Sequence, residues 1–90
     1  MKTQTLIKRV QSCFDKEDAL EKRLEMAEYR ERPTKQIKNA IASNLSTENG
    51  YLEELARREH NGEAIDYGRF YSVADMVAET IDEMKFQGEL

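Results

Sequence analysis

Apolar residues recur three and four positions apart through most of the chain, and no stretch alternates apolar with polar as a half-buried strand would. The pattern therefore predicts helices throughout. Leu6, Val10, Cys13, Leu20, Leu24 and Ala27 form one stripe, interrupted only by Glu17, which fits a helix from about Thr5 to about Glu31. Asp15-Lys16-Glu17-Asp18 is the one place where that helix could break, because Asp favours N-caps and acids favour first turns. Pro33 ends it, since proline clashes with the preceding turn and drives Arg32 out of helical geometry.

After that reversal Thr34 can cap a second helix whose apolar face is Ile37, Ala40, Ile41 and Leu45, with Asn44 beside the face and expected to be partly exposed. Ser46-Thr47-Glu48-Asn49-Gly50 reads as a short turn, although Ile41, Leu45, Leu52 and Leu55 would also suit a helix running straight through. A third helix is then expected from about Gly50 to His60, stopped by Asn61-Gly62. Ser72-Val73-Ala74-Asp75 resembles a capping box at the start of the last helix. In that helix Val73, Met76, Val77, Ile81 and Met84 share one face, while Asp75, Glu79, Asp82 and Glu83 fill an arc about 100° wide on the other. Gly88 closes it.

The fold class that follows is all-α: residues 1–90 as a single domain, a helical hairpin or small bundle of three to four helices with a long N-terminal helix. Only 18 of the 90 residues are Leu, Ile, Val or Phe, and 36% are charged. An average domain is charged at about 25% of positions, so the core is thin, and a homodimer formed through the long first helix is expected.

Composition excludes several chemistries. One cysteine, Cys13, and one histidine, His60, cannot make a disulfide or a four-ligand zinc site. No cofactor or metal is expected. Cys13 lies on the apolar stripe, where a thiol packs as a small hydrophobe. His60 falls at the last turn of a polar helix, where an imidazole suits the negative terminus better than it suits catalysis. With no nucleophile beside a base and no glycine-rich phosphate loop, the chain is expected not to be an enzyme. No apolar run approaches the roughly 18 residues that cross a bilayer, and charges occupy the segment a signal peptide would need, so a cytoplasmic location is expected.

Charge is distributed unevenly. Residues 1 to 45 hold ten Lys and Arg against seven Asp and Glu, and residues 46 to 90 hold four against eleven. Two candidate surfaces result. The aromatic segment Tyr67, Arg69, Phe70 and Tyr71, together with Asp75, Glu79, Asp82 and Glu83, would form a partner-binding surface for another protein. The competing reading of the aromatics is that Phe70 and one Tyr simply plug the gap before the last helix. Arg30, Arg32, Lys35 and Lys38 bracket Pro33 and could touch phosphates. The function expected is a small non-catalytic cytoplasmic interaction protein that regulates or inhibits a protein partner, partners that handle nucleic acid included, in the manner of a phage or mobile-element accessory protein. The alternative is a nucleic-acid-binding regulator using the basic tip. No spaced motif ties the chain to a known family.

Overall fold

Packing decides where these helices begin and end, and in a computed structural model that describes residues 1–90 it yields three of them and no strand. They are α1 (Thr3–Tyr29), α2 (Lys35–His60) and α3 (Tyr71–Phe86). The first two form an antiparallel hairpin, each roughly 40 Å long at 1.5 Å per residue, and α3, about 24 Å long, lies along one side of it. Helix α1 is continuous through Asp15 to Asp18.

The turn expected at Ser46 to Gly50 does not form, nor does a separate helix from Gly50: both lie inside α2. Ser, Thr, Asn and Gly each cost up to about 1 kcal/mol in a helix interior. Continuity places Asn44, Glu48, Leu52 and Leu55 in register against the rest of the protein, all buried, and that packing outweighs propensity. Thr47 compensates locally by donating from its hydroxyl to the Ser43 carbonyl at 3.1 Å. The chain accordingly has three helices, the lower end of the expected range.

Two helix ends follow the sequence closely. Asn61-Gly62 stops α2 with Gly62 at φ 100°, the Gly62 N–H donating to Glu59 O and the Glu63 N–H to Arg58 O. Gly88, at φ 78°, ends α3 in the same way. The start of α3 differs: the helix begins at Tyr71, so Ser72 sits inside it, and the N-cap is Phe70 with no side-chain cap. Seating the Phe70 ring against the core fixes the chain there in place of a hydroxyl cap.

The junction after α1 carries strain. Helix α1 closes at Arg30, and Glu31 takes the left-handed conformation at φ 54° that glycine usually supplies. Gly50, by contrast, is a glycine in an ordinary helix interior with open space around the position of a Cβ. Glu31→Gly and Gly50→Ala are each expected to raise stability by up to about 1 kcal/mol, read as an upward shift of the urea midpoint. A drop for Glu31→Gly would contradict the assignment of strain, and a drop for Gly50→Ala would contradict the open helix interior at that position.

The core is concentrated at one end. Leu6, Ile7 and Val10 of α1, Leu52, Leu55 and Ala56 of α2, and Val73, Val77 and Met84 of α3 form one buried cluster, and Phe14, Tyr51, Ile65, Tyr67 and Phe70 pack around it. The α1 stripe that suggested a homodimer is used here: Leu6, Val10, Cys13, Leu20 and Ala27 are buried within one chain. Beyond the core the hairpin continues without α3. The whole chain has a radius of gyration of 15.2 Å and extents of 49 × 29 × 20 Å, whereas a compact chain of this length would have a radius near 12 Å.

A polar layer separates the core from the protruding tip. Asn44, expected to be partly exposed, is buried and donates from Nδ2 to the Cys13 carbonyl at 2.9 Å. That cross-helix bond satisfies its amide and holds it inward. One turn further, Glu48 is only 4% exposed and its Oε1 has no partner. Burial first, and then the nearby Glu17 carboxylate, push the Glu48 carboxyl above its usual range. Burial and the Glu48 charge do the same to the Cys13 thiol, which favours the unreactive thiol form.

Candidate functional site

The segment between α2 and α3 is fastened at both ends, and this fixes how α3 presents its outer face. Thr3 donates to the Glu63 carboxylate and accepts from Arg58 Nη1, while Gln4 donates to the Asp66 carbonyl at 2.9 Å. Arg58 also reaches the Met1 carbonyl at 2.7 Å and pairs with Glu54 at 3.0 Å, tying the N-terminus to α2. Asp66 Oδ1 accepts from the Gly68 N–H at 2.9 Å, which turns the chain so that Gly68 adopts φ 54°.

Within this segment the aromatics divide. Tyr67 is half-buried and donates from its hydroxyl to Glu59 at 3.1 Å; burial first, and the Glu59 charge second, hold its phenol well above the usual range. Phe70 is half-buried on the core, with the Arg69 guanidinium 5.2 Å from its ring centre. These two rings plug the gap between α2 and α3. Arg69 and Tyr71 face solvent, Tyr71 at 75% exposure.

Tyr71 opens a stripe along the solvent side of α3. Asp75, Glu79, Asp82 and Phe86 follow it at spacings of four, four, three and four, which keeps all five on one helical face over about 22 Å. Asp75, Glu79, Asp82 and Glu83 are exposed and unpaired, since the only ion pairs in the chain, Glu53 with Arg57 and Glu54 with Arg58, lie within α2. Phe86 is 94% exposed, the most exposed large apolar side chain in the molecule. Its spacing from Tyr71 is legible in the sequence, but nothing there shows that the ring is left without a packing partner. The result is a rigid row of carboxylates bracketed by two bare aromatic rings.

The residues around Pro33 are also brought together, in part. Arg30 and Arg32 line a groove of about 380 Å3 with Lys22, Arg23 and Met26, and Lys35 lines the adjoining one. Lys38 lines neither. His60 is exposed at the end of α2, and no three metal-ligating side chains converge anywhere. No helix is long and apolar enough to cross a membrane. No protein-family model, curated protein or solved structure matches the chain.

Proposed function

We propose that the chain is a non-catalytic interaction module that binds a basic surface on a partner protein through the outer face of α3, and so regulates that partner. The observation that supports this most is the exposure of Tyr71 and Phe86 at the two ends of the Asp75, Glu79, Asp82 row. Aromatic rings give much contact area for little lost rotamer freedom and dominate binding hot spots, while a row of like charges steers a complementary surface into register. Tyr67 and Phe70 serve the site from beneath by holding the start of α3. Most of the α1 stripe from which a homodimer is expected is buried inside one chain, Leu24 being its half-buried member, so this reading does not depend on a second copy.

Titration of the purified partner tests the proposal. Tyr71→Ala and Phe86→Ala should each weaken binding by more than about 1 kcal/mol with an unchanged melting temperature. Glu79→Lys with Asp82→Lys should slow association and flatten its dependence on salt. Unaltered affinity in the folded Tyr71→Ala, Phe86→Ala double variant would retire the proposal.

A further inference from the structure

Helix α3 covers one side of the hairpin, and the other side is bare along its whole length. On that bare side α1 carries Arg9, Lys16, Arg23 and Arg30, one cation every seventh residue. Seven residues advance about 10.5 Å and return to within about 20° of the same face, so the four cations run along one flank for roughly 32 Å, with Arg30 at the C-cap. Three grooves lie between this flank and α2, and the two toward the tip adjoin, sharing Arg23, Pro33 and Ile37. Arg9 and Lys16 line the one nearest the core, Arg23 lines the two toward the tip, and Arg30 lines the outermost.

No aspartate or glutamate lines any of the three. None of the four row cations is ion-paired. Helix geometry puts Asp18, Glu21, Glu25 and Glu28 of the same stretch on the far flank of α1, with Asp15 and Glu17 about 100° to either side of Lys16, and the remaining groove, beside α3, contains Glu53 and Glu83 and no cation. The net charge of −4 therefore hides a molecule with one positive and one negative side.

The opposite wall, from α2, supplies hydroxyls. Ser43, Thr47 and Tyr51 face Ser12 and Lys16 across the groove nearest the core. Arg9 donates to the Tyr51 hydroxyl at 3.2 Å and lies 5.9 Å from its ring centre, which holds the guanidinium over the groove and leaves the phenol proton free to donate. The Thr47 hydroxyl proton is spent on the Ser43 carbonyl, but cations facing the Ser12, Ser43 and Tyr51 hydroxyls match the oxygens of a phosphate chain. Toward the tip Leu20, Met26, Pro33 and Ile37 add apolar lining, so an acidic amphipathic helix is the competing occupant that the experiment separates.

We infer that this flank binds the sugar-phosphate backbone of a single-stranded nucleic acid, laid lengthwise in the trough between α1 and α2. A duplex is stiff and winds its phosphate strands away from a straight row, so it meets these cations at only a few phosphates. A flexible single strand can instead follow the surface trough beside the two packed helices along its length. This surface is separate from the α3 face, and either can fail without the other.

Fluorescence anisotropy with a labelled twenty-nucleotide oligo-dT, beside a twenty-base-pair duplex, tests the inference on the full chain. Neutralising four phosphates gives a log–log salt slope near −2.8, so oligo-dT binding should weaken about 50-fold between 50 and 200 mM salt. The quadruple variant Arg9→Gln, Lys16→Gln, Arg23→Gln, Arg30→Gln should lose at least about tenfold in affinity at 50 mM salt and most of the slope. Lys16→Gln with Arg23→Gln, which leaves the Arg9 contact with Tyr51 in place, should reduce the slope by about half. Lys85→Gln, on α3, should change nothing. Circular dichroism confirms that each variant is folded. The inference is overturned if oligo-dT does not bind at 25 mM salt, if the duplex binds as tightly, or if the folded variants bind like the parent. It is overturned equally if a helical peptide with Glu at every seventh position binds the same residues more tightly than oligo-dT.

Discussion

Leu55→Ala is expected to cost about 2 to 5 kcal/mol, a large part of the stability of a 90-residue domain. Leu55 is fully buried in the one cluster that joins all three helices, so its loss leaves a cavity that α1, α2 and α3 cannot all close at once. Leu45→Ala should cost less than half as much, because Leu45 is half-exposed on the part of the hairpin beyond that cluster. Urea melts give both values as midpoint shifts at constant m. Equal shifts would mean that the core is spread evenly along the hairpin.

Glu48→Gln is expected to stabilise the protein at neutral and alkaline pH and to leave it little changed at pH 4. The native state favours the protonated carboxyl of Glu48, whose value lies above the ordinary 4.5, so the folded chain holds a proton there that the unfolded chain releases. Stability from this group is complete below the ordinary value and is lost as pH rises through the raised one. An amide keeps the hydrogen-bonding shape without the charge, and the difference between parent and variant should therefore grow with pH. Urea melts from pH 4 to pH 8 measure it. A difference that stays flat, or a variant less stable at pH 8, would show that Glu48 is ionised at no cost.

The same two residues show what could be read in advance. Leu55 lies on a stripe that periodicity exposes directly, and the long α1, the Asn61-Gly62 stop and the amphipathic α3 were legible for the same reason. Glu48 was not, because local propensity makes Ser46 to Gly50 a turn, and only the partner helix supplies the burial that overrides it. Asn44 was misplaced on the same ground: a cross-helix bond to Cys13 O has no signature in spacing along one helix.

Of the candidate surfaces, the acidic row of α3 was visible as a helical face, but Phe86 gains meaning only once nothing is found packed against it. The sequence also drew attention to the cations nearest Pro33. The seven-residue row from Arg9 to Arg30 matters only because α3 packs on the other side and leaves that flank bare.

The account rests on the α3 face meeting a partner protein, and a photo-crosslinking residue placed at Ala78 tests that most directly. Ala78 is exposed beside the Asp75, Glu79, Asp82 row, so a crosslinker there reports what covers the face without replacing any residue of the stripe. Irradiation of cells that naturally carry the chain should give one discrete protein adduct. That adduct should vanish when Tyr71→Ala and Phe86→Ala, or Glu79→Lys and Asp82→Lys, are combined with the crosslinker. No adduct at Ala78, or an adduct that survives both pairs of substitutions, would contradict the account.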